Sequence, residues 1–321
     1  MSTTPHTILV VGATGQQGSS VLTELSHLLS STTSSSPLKP KILALTRTAS
    51  SPKALALPSQ YPNLSLTVIE GDTRLPAPIF AAHPEIDAVF SYTTPPDEEP
   101  QARALIDAAA AHAKNVLAGP LHFVFSSVDR GGEPESWDEE TEIPHFAQKC
   151  RVEVHLRDVA RASRGRLVFT VLRPAAFMDN LNPGTFGMVF ASLWNTLPPS
   201  RKLQLVSVRD IGLFAAKALI LPTSYHHNTA IGLAGDELTY DEAREIYYRV
   251  AQEQEELPQA WWVVGWVVRR LFAARDVGAM FSWFEKKGYG VDIVALRMEE
   301  PQLQDFETWL KESSKFKLDE L

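Results

Sequence analysis

The chain has 321 residues, 44% of them hydrophobic and 21% charged, a balance that supports a sizeable core and excludes global disorder. Its net charge of −8 excludes a general nucleic-acid binder, which carries a basic field. The single cysteine, Cys150, excludes an intrachain disulfide and a zinc–cysteine cluster; it reads as a small packing residue, and no metal is expected.

Met1 to Thr7 is short and polar, with no basic region followed by an apolar one, so no secretory signal is expected. Ile8 to Val11 is a continuous apolar run that suits a strand buried on both faces of a parallel sheet. Gly12, Gly15 and Gly18 follow, with Ala13, Thr14, Gln16 and Gln17 between them. Val21, Leu22, Leu25, Leu28 and Leu29 then recur at helical spacing. A buried strand, a glycine turn and a helix start predict a pyrophosphate-binding first βα turn of a Rossmann-type domain, because glycine lets a ligand approach the backbone and helix-start amides attract phosphate.

Ser30 to Lys41 is low in complexity and reads as a surface loop. The strand Ile42–Leu45 ends in Thr46-Arg47-Thr48. An acidic residue at this strand end bonds the ribose 2′-hydroxyl in NAD-binding folds; Arg47 stands there instead and favours NADP, since a guanidinium matches a 2′-phosphate. A third strand, Leu64–Ile69, leads to Glu70-Gly71-Asp72-Thr73, where Asp72 is either an acceptor for the adenine amino group or a turn and capping residue. Ile86–Tyr92 is a fourth strand, and Thr93 and Thr94 before Pro95 are candidates for the ribose and nicotinamide side. Gln101–Lys114 reads as a helix. The fifth strand, Leu121–Phe125, ends in Ser126, whose hydroxyl either faces a substrate carbonyl or turns the chain. Gly131–Thr141 is acidic and loop-like. His145 and Lys149 share one face of the helix His145–Arg157, and Arg166–Leu172 is the sixth strand.

This βα alternation predicts a doubly wound parallel sheet in an NADP-binding Rossmann domain over residues 1–173, with 203–222 returning to it through the strand Leu203–Val208 and the helix Asp210–Leu221. Residues 174–321 are expected to form a smaller, mainly helical lobe that shapes a pocket, its tryptophans packed in the core. The apolar stretch Trp261–Phe272 is too short to cross a membrane. A soluble protein of the cytosol, or of the nucleus as well, is expected.

GATGQQG near the start, IPHFAQK (143–149), LRPAAFMDNL (172–181), VSVRDIGLFAAKAL (206–219), LAGDELTYDE (233–242), Gly288-Tyr289, Asp292 and PQLQDFETWL (301–310) together resemble the NmrA-like family, atypical members of the short-chain dehydrogenase/reductase superfamily. The resemblance spans nearly the whole chain. It implies an NADP-binding Rossmann domain with cofactor contacts from Gly12 to Gln17, Arg47, Ser51, Asp72, Thr73, Thr93, Thr94, Pro95 and Lys149, completed by Phe177, Met178, Asp179 and Asn180. In the superfamily's Tyr-x-x-x-Lys pair the lysine lowers the tyrosine pKa so that the phenol protonates a carbonyl; here Lys149 is in place and His145 takes the tyrosine position. Imidazole is a general acid of different shape. Two functions follow as expectations. One is NADPH-dependent reduction of a small organic molecule, with Lys149 holding the ribose and His145 or Ser126 supplying the proton. The other is a non-catalytic NADP(H) sensor that docks on a regulatory protein such as a transcription factor, with Trp261–Phe272 as its candidate docking face.

Overall fold

The computed structural model describes residues 7–31, 39–138, 140–221, 227–260 and 276–317. The stretch Trp261–Phe272 and most of the Ser30–Lys41 loop lie outside them. The chain folds as two compact units: one of residues 1–127, 148–173 and 211–231, the other of 128–147, 174–210 and 232–321.

The first unit is built on β1 (Thr7–Val11), α1 (Gln16–Ser31), β2 (Lys41–Thr46), α2 (Pro52–Gln60), β3 (Ser65–Glu70), α3 (Ala77–Ala82), β4 (Ala88–Tyr92), α4 (Glu98–Asn115), β5 (Leu121–Ser126), α6 (Pro144–Ala162, from Gln148) and β6 (Leu167–Pro174, to Arg173). Among the described residues the strands form a seven-stranded sheet in the order β3-β2-β1-β4-β5-β6-β9, with β9 spanning Thr229–Leu233. Every pair from β3 to β6 is parallel. This is the doubly wound Rossmann-type sheet.

Burial follows position in the sheet. All five residues of β1 and all six of β5 are buried, as strands covered on both faces must be, whereas the edge strand β3 is half exposed with polar Ser65, Thr67 and Glu70. Val21, Leu22 and Leu25 put one stripe of α1 fully into the core. The sequence periodicity does not foresee α2 and α3. Helix α2 starts by local chemistry instead: Ser51 accepts from Ala54 N at 3.3 Å as N-cap, and Pro52 fills the first position, where no N–H is needed. Cys150 is buried, as a packing residue should be.

The second unit holds α5 (Glu135–Asp138), β7 (Ala176–Phe177), a 3-10 turn at Met178–Leu181, α7 (Thr185–Trp194), β8 (Leu203–Val206), β10 (Asp236–Leu238), α9 (Tyr240–Val250), α10 (Asp276–Lys286), α11 (Ile293–Glu299) and α12 (Phe306–Glu312). Two expectations change here. Leu203–Val206 does not join the large sheet but is the middle strand of a small one, β10-β8-β7, parallel to β7 and antiparallel to β10. The following helix α8 (Val208–Ile220) belongs to the first unit from Ile211 on. The acidic loop 131–141 also contains the short helix α5. The core of this unit is aromatic: Trp194, Trp309, Tyr247, Phe281 and Phe284 are essentially inaccessible, in keeping with tryptophan as a packing residue. Asp129 ties the unit together by accepting from the backbone N–H of Gly131, Gly132 and Gly290, the last at 2.8 Å.

Candidate functional site

The strand order reverses between β1 and β4, both neighbours in the sheet, and that switch point is where open α/β sheets bind ligands. A cleft of about 490 Å³ lies there, within the first unit. It is lined by the ends of β1 (Gly12, Thr14, Gly15), β2 (Leu45, Thr46, Arg47), β3 (Gly71, Asp72, Thr73) and β4 (Tyr92, Thr94, Pro95).

The turn after β1 is tight. Gly15 N donates to Gly12 O at 2.8 Å, Ala13 N donates to Leu45 O at 3.1 Å, and Gly12 has φ +62°, which favours glycine. A Cβ on Gly18 would run into the carbonyl of Gly12, so the third glycine lets α1 pack against the turn. Ala13 is buried beneath the turn, while at the start of α1 Gln16 is exposed and Gln17 half-buried. Of the turn residues, Gly12, Thr14 and Gly15 line the cleft; Ala13, Gln16, Gln17 and Gly18 do not.

The charge of the cleft sits at the ends of β2 and β3. Arg47 is exposed there and is joined by Lys53 and Arg74 as lining residues. Ser51 stands between Arg47 and Lys53 in the chain, but its hydroxyl caps α2 rather than lining the cleft. Arg74 grips Asp72 with Nε at 3.1 Å from both carboxylate oxygens and Nη2 at 2.8 Å from Oδ2. These hydrogen bonds hold the Asp72 carboxyl below its ordinary range, with Arg47 adding a smaller pull. Asp72 Oδ1 also accepts from Arg74 N at 2.9 Å, the Asx-turn alternative weighed for this residue. Its negative charge is thereby offset, and Arg47 and Lys53 remain as cations facing the cleft.

Lys53 and Arg74 escape a reading based on the Rossmann pattern alone. Lys53 carried one usable signal: it sits in the first turn of α2, where the helix dipole disfavours a cation. An anion nearby would reverse that preference.

Lys149 is held in a buried polar network. Its Nζ lies 2.7 Å from Glu98 Oε2 and donates to Thr93 Oγ1 at 3.1 Å, while Thr93 Oγ1 donates to the same carboxylate at 2.5 Å. Glu98 is fully buried and Lys149 is only 12% exposed. Gln148 Oε1 accepts from the backbone N–H of Glu98 at 3.1 Å and of Glu99 at 3.3 Å, fixing the start of α4. Lys149 is therefore an ion-paired ammonium, and Thr93 serves this network rather than lining the cleft. Ser126 is 1% exposed and its Oγ has no partner among the described residues; it is closed off from solvent at the end of β5. The neighbouring Ser127 hydroxyl donates to Glu153, which is paired in the core with Arg173 Nη2 at 2.6 Å.

The other expected residues belong to the second unit. His145 is half-buried beside Phe146, their rings 4.6 Å apart. Met178 is fully buried in the aromatic core, and Asp179 accepts from Val208 N at 2.9 Å, its carboxyl raised by burial. Phe177 closes β7 and Asn180 lies in the 3-10 turn.

Fold and cleft together define a Rossmann-type α/β protein with an anion-attracting groove at the switch point of its sheet. The chain belongs to the NmrA-like family, whose model matches residues 4–310. Among solved structures it is similar to an N12G and A18G mutant of NmrA (17% identity, TM-score 0.68, covering 97% of this chain and 96% of that one). It is similar as well to NmrA, a negative transcriptional regulator, in complex with NAD (17%, TM-score 0.67, 97% and 96%). A third is the Citrobacter sp. triphenylmethane reductase complexed with NADP(H) (19%, TM-score 0.66, 95% and 99%). No curated protein sequence matches the chain significantly. These likenesses establish the fold.

Proposed function

We propose that this chain is an NADP(H)-dependent oxidoreductase that reduces a small organic substrate. The observation that carries the reading is the grouping of Arg47, Lys53 and Arg74 around a cleft that begins at a glycine turn. A dinucleotide needs two kinds of anion contact: helix-start amides for the pyrophosphate and, when the ribose is phosphorylated, cations at the end of the second strand. The donor set fits both. Asp72, the carboxylate that lines the cleft at the end of β3, is neutralised by Arg74, so it does not repel a 2′-phosphate.

When bound, the nicotinamide would supply a hydride. The chain's part is to bind and orient. The turn Gly12–Gly18 with Arg47 and Lys53 would hold the phosphates, Arg74 keeps the Asp72 carboxylate neutralised, and Thr94 and Pro95 line the β4 end of the same cleft. His145 is the proposed proton donor in place of the superfamily's tyrosine. It enters, with Phe177–Asn180, through the family resemblance. Lys149, which the resemblance places at the ribose, is paired with Glu98 in this chain, and the buried Ser126, a candidate from its place at the strand end, is set aside as a proton source. Proximity supplies much of the acceleration in hydride transfer, so loss of the tyrosine does not end the chemistry. The solved reductase with NADP(H) supports this reading by analogy of fold.

Rapid mixing of the NADPH-loaded protein with a panel of carbonyl, imine and activated-alkene compounds tests it, following the reduced-nicotinamide absorbance. Substrate-dependent loss of that band is expected; its persistence with every compound defeats the enzymatic reading.

The Lys149–Glu98 pair favours a second reading. An ammonium neutralised by a buried carboxylate is poorly placed to lower another group's pKa, which suits a protein that binds NADP(H) without turnover and signals to a regulatory protein. The similar fold of a negative transcriptional regulator supports it. Affinity capture with and without NADP distinguishes this reading by whether the retained partner changes.

A further inference from the structure

Tyr92 ends β4 and lines the cleft, just before the cofactor candidates Thr93 and Thr94, although the sequence gives the tyrosine itself no role. Its hydroxyl donates to Gly12 O at 3.3 Å, joining residues 80 apart in the chain. A Cβ placed on Gly12 would lie 2.5 Å from the phenol oxygen and 2.8 Å from two ring carbons. On Gly15 it would come closer still to the same oxygen. It would also lie 3.2 Å from Gly12 O, a milder backbone contact, whereas a Cβ on Gly18 meets backbone alone and not the phenol.

Conformation alone does not explain Gly15. Gly12 has a positive φ, but Gly15 is not among the residues with one, so alanine could adopt its backbone without strain. The usual account gives the second glycine of such a turn to the approach of pyrophosphate. In this chain the space beside Gly15 already holds the Tyr92 oxygen. Burial pushes the phenol pKa up, so the group is a neutral donor at neutral pH.

We propose that Tyr92 is a positioning residue of the cleft: its phenol wedges into the turn, Gly12 and Gly15 are glycine in order to admit it, and the wedge sets the orientation of the helix-start amides toward a dinucleotide diphosphate. This rests on the reading of the cleft as a dinucleotide site. The turn carbonyl of Gly12 accepts from both Gly15 N and the Tyr92 hydroxyl, so removing the hydroxyl frees the turn to shift without opening the sheet.

The test is a set of full-length chains: wild type, Gly15→Ala, Tyr92→Ala, the double variant, and Tyr92→Phe. Two quantities are measured, the thermal midpoint without ligand and the NADPH dissociation constant by calorimetry. Gly15→Ala is expected to lower the midpoint in the native background and to lower it much less in the Tyr92→Ala background, where only the milder contact with Gly12 O remains. Tyr92→Phe keeps the ring and loses only the bond to Gly12 O, so it is expected to lower the midpoint less than Gly15→Ala does and to weaken NADPH by about 5-fold, because binding must then reorder the loosened turn. Equal damage from Gly15→Ala in both backgrounds overturns the wedge. Wild-type affinity in Tyr92→Phe overturns the positioning role. Absence of NADPH binding by the wild type sinks the dinucleotide reading and the positioning role with it, and the ligand-free midpoints then decide the wedge separately.

Discussion

Lys53 is the residue whose placement makes least sense without a ligand. A cation in the first turn of a helix opposes the dipole by a few tenths of a kcal/mol to about 1 kcal/mol, and nothing acidic stands in that turn to offset it. Beside Arg47 it lines the cleft proposed for a phosphorylated dinucleotide. Reversal of charge at Arg47 is the sharpest probe. Arg47→Asp should weaken NADPH by about 10- to 100-fold, the range of a charge-assisted hydrogen bond, and leave NADH unchanged or improved. Calorimetry with both dinucleotides at low salt reads this; parallel losses for both would remove the 2′-phosphate assignment. Glu98 makes a second case at this scale. Substituting Glu98→Ala leaves the Lys149 ammonium buried without its partner, at a cost of about 3 kcal/mol or more, measurable by urea unfolding. A change within a few tenths of a kcal/mol would mean that the ion pair contributes nothing to the fold.

At the scale of elements, β5 carries a titratable group sealed inside the sheet. His122 is buried, Nε2 lies 2.9 Å from Thr170 Oγ1, and the His227 ring stands 4.5 Å away. Burial, then the neighbouring His227, lowers its pKa to about 3 from 6.5. Between those values the unfolded chain binds a proton that the folded chain refuses. Stability from this group is therefore complete above pH 6.5 and falls as the pH drops toward 3. The His122 ring resonances should show no titration between pH 8 and 5 by NMR, and a midpoint near 6.5 would contradict the burial argument. Helix α9 offers a local test. Thr239 Oγ1 accepts from Glu242 N at 3.2 Å while Glu242 Oε2 accepts from Thr239 N at 2.7 Å, a capping box. Thr239→Ala should cost about 1 kcal/mol of stability in denaturant titration, and no loss would show that the helix start is held by packing alone.

For the whole molecule, the proposed cofactor is linked to folding. NADPH binds only the assembled cleft, so at 100 times its dissociation constant it should stabilise the fold by about 2.7 kcal/mol, and NADH at the same concentration by less. Thermal midpoints across a concentration series of each dinucleotide measure this. Identical curves for NADPH and NADH would leave Arg47 and Lys53 without a role in selecting the phosphate.

Much of this molecule could be read from neighbouring residues. The uncharged run Ile8–Val11, the glycines after it and the helical spacing beyond them are local patterns, and they determined a buried parallel strand, a tight turn and α1. The place of Arg47 was legible for the same reason, because it depends only on following the second strand, whose end lines the cleft. The tertiary structure alone decided the rest. It brought Lys53 and Arg74 to Arg47, matched Lys149 with a buried carboxylate and with Thr93 56 positions away, closed Ser126 off from solvent, and set the Tyr92 phenol into the glycine turn. It also placed Leu203–Val206 in a separate small sheet. The physical reason is range: periodicity and turn chemistry act over a few residues, whereas partners at the ends of different strands meet only once strand order and packing have been chosen.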